Sequence, residues 1–493
     1  MQRASDMRKN LTKGLLLGTL TMVAGSAGAV DYYLAAKSYS QALPDGSSVP
    51  MWGYVEDAGG TCYSAANTAD RQTCIEGLPD PQTSATRLVV GPGDTDLTVF
   101  LSNGLSESTS LVIDSQENPV SIGPAPTWND GSTGPRGTDL TKRVRSFGSE
   151  AAANGGAERY SWTSTDGNPL RHGTYIMHSG THPQKQVYMG LYGAVTRNFA
   201  AGQAYDGVPY DKEVVLFYSE IDPVLNQSVA DQSYETSIHY HAKWFLVNGA
   251  PYSTECTDVD PTDTFDDASG YPCASMAQIA DIAAGKPGDN ILLRFLSAAG
   301  ETHVPTLQGL YMTVHAEDGY QYTWQDGASG VATPAPRSQY SLQLPPLKTK
   351  DAIINVAANS RYAMYDGNGY MTNPTDPGTI TVGDPVGGML RFLSTDSDED
   401  GAPDVSDNCI LVANADQRDT NGDGYGNVCD ADFNNDCTVD VLDIPLFRTA
   451  FGTSAPDEDL NGDNTVDVLD VPILRRLFGQ APGPSSVDPC VLP

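Results

Sequence analysis

The chain has 493 residues, room for several compact units, and sets 28 Lys and Arg against 62 Asp and Glu, a formal net charge of −34. An acid excess of this size excludes a nucleic-acid-binding role, because phosphates are held by Lys and Arg. It suits cation binding and solubility outside the cell.

The N-terminus carries a basic lead of Arg3, Arg8, Lys9 and Lys13. An apolar run over 14–25 follows, too short to span a bilayer, and then Ala27-Gly28-Ala29, a small-x-small cleavage pattern. Residues 1–29 are therefore expected to be a secretory signal peptide. No later stretch is long and apolar enough for a membrane span. The mature chain is expected to be secreted, extracellular or cell-surface associated. The eight cysteines suggest disulfides in an exported chain. Eight cysteines allow 105 pairings, which sequence alone does not decide. Nearest-neighbour closure suggests Cys62–Cys74, Cys256–Cys273, Cys409–Cys429 and Cys437–Cys490. There is no CxxC, so neither a zinc ribbon nor a thioredoxin-type site is supported.

After the leader come short apolar or alternating runs: 87–90 (RLVV), 97–101 (LTVFL) and 110–113 (SLVI). Gly, Pro, Asn and Asp separate them, as in an all-β sandwich or barrel. The Pro- and Gly-rich stretch 119–137 reads as a long surface loop. Residues 173–197, GTYIMHSGTHPQKQVYMGLYGAVTR, resemble the strand–loop–strand that closes the first cupredoxin domain of multicopper oxidases. Residues 103–116, NGLSESTSLVIDSQ, are similar to a run in which that family places a His-x-His pair after Thr-Ser-Leu. Strand side chains alternate, so two such imidazoles share a face and converge on copper. Here the two positions are Val112 and Asp114, and the second pair reads His178-Ser179-Gly180. Of four ligands that the resemblance implies, His178 alone remains.

Further on, 212–221, 243–252 with its Asn248-Gly249 turn signal, 290–296, 311–319, 340–354 and 387–393 resemble strands of the second cupredoxin domain. That domain is usually a copper-free spacer in three-domain members. The family's His-Cys-His run has no counterpart here. In 303–308 (HVPTLQ) the later ligand positions are Thr306 and Gln308. His239-Tyr240-His241 is the one surviving His-x-His, and on a strand its rings would share a face. His178, His239 and His241 are thus the copper candidates, although copper is disfavoured by the replaced positions. His303 and His315 read as structural or surface residues. No Gly-x-Ser-x-Gly elbow, His-Glu-x-x-His helix or Walker loop occurs.

From residue 395 onward the chain holds 21 Asp and Glu and four Arg, half of the net charge. Residues 396–430, DSDEDGAPDVSDNCILVANADQRDTNGDGYGNVCD, resemble a thrombospondin type 3 repeat. Two twelve-residue loops of oxygen ligands can be written in it: Asp396, Asp398, Asp400, Asp404 and Asp407, then Asp419, Asn421, Asp423 and Asp430. Calcium takes six to eight oxygens from such positions, with glycine at the sixth for the turn, here Gly401 and Gly424. An internal repeat follows at a 27-residue period, 432–452 (DFNNDCTVDVLDIPLFRTAFG) and 459–479 (DLNGDNTVDVLDVPILRRLFG). Its ligand sets are Asp432, Asn434, Asp436, Asp440 and Asp443, and Asp459, Asn461, Asp463, Asp467 and Asp470. Pro445 and Pro472 suit a first helical turn. Ile444, Phe447 and Phe451, like Val471, Leu474 and Phe478, form apolar stripes expected to pack on each other. The pair resembles a type I dockerin, which implies a cohesin-like partner, with Arg448, Arg475 and Arg476 as the docking face. At the sixth loop position stand Cys437 and Asn464; a Cys437–Cys490 bridge would fix that turn and clamp the tail.

The expected fold is mainly β, two cupredoxin-like Greek-key β-sandwiches followed by a calcium-loop repeat and a small two-helix dockerin-like module. The boundaries are 1–29 signal peptide, 30–199 and 200–394 sandwiches, 395–430 thrombospondin type 3 repeat, 431–480 dockerin-like domain and 481–493 tail. The favoured function is a secreted calcium-binding protein on an oxidase-like scaffold, attached to a partner or cell surface and without catalysis. The alternative is a multicopper-type oxidoreductase acting on phenols or metal ions, with ligands completed across a homo-oligomer interface. A role accessory to polysaccharide breakdown rests on the dockerin resemblance alone.

Overall fold

The computed structural model describes residues 28–43, 47–81, 85–121, 126–234, 236–253, 281–325, 327, 331–358, 360–371, 387–487 and 490. Residues 1–27 of the expected leader, the Cys256–Cys273 pairing and 491–493 of the tail lie outside the described residues. The fold is mainly β, built from open sheets. No helix among the described residues is long and apolar enough to cross a membrane.

The alternation in 97–101 is realised in the strand Asp96–Asn103, where Leu97, Val99 and Leu101 are buried and Thr98 and Phe100 are half-buried. Asp96–Asn103 lies between Ala29–Ala42, to which it runs parallel, and Gly156–Trp162, to which it runs antiparallel. Ser48–Glu56 and Val120–Ser121 complete this five-stranded sheet. A second sheet orders Thr86–Val90, Tyr192–Arg197, Gly173–His178 and Val112–Ile113. The two sheets share one apolar core, with Leu97, Val99, Tyr160 and Trp162 from the first and Leu88, Ile113, Tyr175 and Val195 from the second. Residues 119–137 are not all loop, since Val120–Ser121 pairs with Gly156–Trp162 and Thr127–Trp128 pairs with Val144–Ser146.

Two helices of two turns or more interrupt the β pattern among the described residues, besides single turns at Ala58–Gly60 and Pro183–Gln186. Thr68–Glu76 starts where the Asn67 side chain accepts from Asp70 N–H. Pro223–Ala230 starts where Asp222 accepts from Val224 and Leu225 N–H, with proline inside the first turn. The Cys62–Cys74 disulfide anchors the first of these helices.

The larger sheet of the second half runs Trp244–Val247, Lys212–Ile221, Ile291–Ser297, Thr349–Ile354, Met312–Glu317 and Tyr320–Gln321, with Arg337–Gln339 also paired to Met312–Glu317. A four-stranded partner orders Ile282–Gly285, Leu390–Thr395, Arg361–Asp366 and Pro305–Leu307. Every residue of Ile291–Ser297 is buried, because one face packs into the core between the two sheets and the other against the first half of the chain. Leu293 and Phe295 point into the core between these two sheets, while Leu296 packs with Ile176, Tyr192 and Ala194 of the first half.

That contact between halves contains a buried ionic knot. Arg294, 0 % exposed, donates to Glu213 Oε2 (2.8 Å), Thr174 Oγ1 (2.7 Å) and Asn198 Oδ1 (2.6 Å). Thr174 Oγ1 in turn donates to Asp351 Oδ1 (2.7 Å), and Arg87 pairs with Glu213. The guanidinium fork is thus satisfied from both halves of the chain, the condition under which a buried charge is tolerated.

Beyond Thr395 the backbone is mostly turns, with helices at Ile444–Ala450 and Val471–Leu477. Phe447, Ala450, Leu474 and Leu477 bury against Val439, Leu460 and Val466. The expected stripes are corrected here. Ile444, Phe451, Val471 and Phe478 are exposed, because each helix is only seven residues long and its inward face is completed by Ala450 and Leu477. The tail returns over this region: Ser486 N–H donates to Asp407 O (2.7 Å), Ile410 N–H to Pro484 O (3.0 Å), and Cys437 is bonded to Cys490. Cys409–Cys429 closes a segment that begins just after the first acidic loop and carries nearly all of the second.

Candidate metal centre

Asp396 follows directly on the strand Leu390–Thr395, so its backbone is fixed by the sheet, and its own N–H donates to Gly285 O (3.1 Å). Its side chain is fully buried. Asp396, Asp398 and Asp400 each offer a carboxylate oxygen, all within 4.8 Å of one another, and this is the one group of three or more His, Cys, Asp or Glu ligand atoms among the described residues. Asp400 Oδ2 accepts from Asn414 N–H (2.7 Å), and Asp407 Oδ1 from Cys409 N–H (2.8 Å) and Gln417 Nε2 (2.9 Å). Three buried oxygens have no hydrogen-bond partner at all: Asp396 Oδ1, Asp398 Oδ2 and Asp407 Oδ2. Burial, with the neighbouring Asp400, Asp407 and Asp396 carboxylates, pushes Asp398 up to about 6. Carboxylates at contact repel by about 4 kcal/mol per pair at an effective dielectric of 20. A hard divalent cation with oxygen preference removes both the repulsion and the unmet hydrogen-bonding demand.

The three remaining loops share a hydrogen-bonding scheme. The first residue takes two backbone N–H groups: Asp419 from Gly422 and Gly424, Asp432 from Asp436 and Cys437, Asp459 from Gly462 and Asn464. Asn421, Asn434 and Asn461 each accept from the residue two further on, Asp423, Asp436 and Asp463. Asp443 accepts from Asn434 and Asp440 N–H, and Asp470 from Asn461 and Asp467 N–H, so the two copies of the repeat close their loops in the same way. Burial, followed by the Asp423 and Asp432 charges, pushes Asp430 up to about 8. The sixth residue is left-handed in all four loops, with φ of 98° at Gly401, 97° at Gly424, 70° at Cys437 and 69° at Asn464. Asp404 serves the loop differently, capping Ser397 through its N–H and hydroxyl.

The copper candidates are not brought together. Val112 is the registered partner of His178 across an antiparallel pair, and its isopropyl group offers no donor there. His178 is buried, with Nδ1 at 2.8 Å from Ser179 O and Nε2 at 3.2 Å from Asp114 Oδ1. The stretch carrying His239 and His241 is not a strand. Both are exposed in a turn whose Tyr240 N–H donates to Ser237 O (2.9 Å), and Tyr240 between them points inward to Glu220.

A buried Glu220–His303–Asp366 triad is the feature that sequence reading missed. His303 is fully buried, with Nδ1 at 2.5 Å from Asp366 Oδ2 and Nε2 at 2.8 Å from Glu220 Oε1, off the ideal hydrogen-bond line. Burial opposes its charge, but the hydrogen bonds to Asp366 and Glu220 outweigh it and hold the imidazole up at about 8. Glu220 also accepts from Tyr240 OH (2.7 Å) and Gly300 N–H (2.9 Å). With carboxylates at both ring nitrogens, the imidazolium serves as an internal counter-ion.

No protein-family model matches the chain, and no curated protein matches it. Among solved structures, the chain is similar to the multicopper oxidase mgLAC at 16% identity, covering 75% of this chain and 87% of that one with a TM-score of 0.46. It is also similar to the blue copper oxidase from Nitrosomonas europaea at 14% identity, covering 74% of this chain and 85% of that one with a TM-score of 0.45. The chemistry open to this chain is decided by its own side chains, and at the one three-ligand cluster among the described residues those are carboxylates.

Proposed function

We propose that this chain is an exported calcium-binding protein whose oxidase-like β body serves as a scaffold rather than a catalyst, and whose acidic C-terminal part binds calcium and docks to a cohesin-like or cell-surface protein. The observation that carries the reading is the cluster of the Asp396, Asp398 and Asp400 carboxylates, in a loop where buried oxygens of Asp396, Asp398 and Asp407 have no hydrogen-bond partner. The repeated scheme at Asp419, Asp432 and Asp459 supports further loops of the same kind. On the oxidase side, Val112 opposite His178 and the turn at His239–His241 speak against a copper cluster. Docking is supported by equivalent apolar residues 27 positions apart, Val441 with Leu442 and Val468 with Leu469, all 59–67 % exposed. Arg448 and Arg475 are exposed on the adjoining helices, and Arg476 also donates to Val428 O (3.1 Å).

Metal analysis and calorimetry of the purified chain, dialysed against chelator and then titrated, test this reading. Several calcium ions per chain and no stoichiometric copper are expected. Stoichiometric copper with turnover of a phenolic substrate, or no calcium uptake, overturns it.

A further inference from the structure

Three strands of the second half end at the first acidic loop. Leu390–Thr395 runs into Asp396, and Asp404 N–H donates back to Thr395 O (2.8 Å), folding the loop onto the strand end. Ile282–Gly285 pairs with Leu390–Thr395 and receives the Asp396 N–H at Gly285 O. The next residue, Lys286, reaches Glu399 at 2.8 Å. Lys212 opens Lys212–Ile221, and its ammonium lies 3.1 Å from Asp396 Oδ2. That one ion pair leaves Asp396 Oδ1 unmatched, with the Asp398 and Asp400 carboxylates clustered beside it and unsatisfied oxygens on Asp398 and Asp407 in the same loop. The loop is therefore not a free appendage: its first ligand is held by the sheet from below and by a lysine from a different strand.

We propose that a divalent cation in the Asp396–Asp407 loop is a structural staple of the second pair of sheets, and that Lys212 is the positioning residue that holds Asp396 ready for it. The inference rests on the calcium reading above and adds that loading of this loop is felt in the strands. Without the cation, clustered like charges push on the end of Leu390–Thr395, and Lys212 supplies only partial relief. With it, the repulsion is cancelled and the strand end is pinned through Asp396 and Asp404.

Hydrogen exchange of the full chain, read by mass spectrometry with calcium and with chelator, tests this. Calcium is expected to slow exchange about tenfold or more in Ile282–Gly285, Leu390–Thr395 and the first residues of Lys212–Ile221, and to leave Asp96–Asn103 unchanged. Asp398→Asn is expected to abolish that strand protection while the Asp432–Asp443 and Asp459–Asp470 loops keep theirs. Lys212→Met is expected to speed exchange at Leu390–Thr395 in chelator and to be rescued by calcium. Exchange at Asp96–Asn103 reports that each variant is folded. Calcium protection confined to residues 396–487 overturns the staple while leaving calcium binding intact. No response in any segment overturns both.

Discussion

Cys437 and Asn464, 27 residues apart in a repeated sequence, hold the same left-handed backbone, with φ of 70° and 69°. Each donates its N–H to the first carboxylate of its loop, Asp432 or Asp459. Asn adopts this region readily, whereas for cysteine it costs roughly 1 kcal/mol or more. In the first copy the bond from Cys437 to Cys490 supplies the constraint that asparagine supplies through its own chemistry.

Cys490→Ser is therefore expected to weaken calcium binding by one ion per chain, by about five- to tenfold, through loss of the strained turn. Cys437→Gly combined with Cys490→Ser is expected to restore it, because glycine adopts the turn without a clamp. Calorimetry of the two variants separates this from simple loosening of the tail, which would leave both equally weak.

The Glu220–His303–Asp366 triad gives a pH signature. The folded histidine is held up at about 8, above its ordinary value of about 6.5. Its contribution is complete below pH 6.5 and lost as pH rises through 8, amounting to about 2 kcal/mol. Thermal melts of the wild type between pH 6 and 9 should fall in stability across that window. His303→Gln should be less stable at pH 6 and should lose most of the slope.

Arg294 is expected to be costly to remove. Arg294→Met leaves the buried Asp351 without its cation and the part-buried Glu213 with Arg87 alone, a change worth about 3 kcal/mol. Urea unfolding should show it as a lower midpoint. Because the knot joins the two halves, the variant should also unfold in two steps rather than one, visible as non-coincident tryptophan and far-ultraviolet transitions.

Much of the architecture is legible from local pattern. Leu97, Val99 and Leu101 announce a strand by alternation, and Pro445 and Pro472 mark helix starts because proline lacks the N–H that a first turn leaves unused. The three disulfides seen follow nearest-neighbour order. What escapes is non-local. Glu220, His303 and Asp366 are 83 and 63 residues apart in sequence and look like surface residues until the sheets bring them together. His239 and His241 satisfy a two-residue spacing, but the segment after the Asp222-capped helix turns instead of extending, so their alternation has no strand to act on. The apolar stripes of the sequence span a wider arc than seven-residue helices cover, since these bury two positions each.

The bond from Cys437 to Cys490 also sets a load path. Tension applied beyond Cys490 enters the protein at the third acidic loop, 53 residues back along the chain, and bypasses both short helices. Those helices and the apolar residues that flank them lie outside that path and do not bear the pull that would otherwise peel them off one turn at a time.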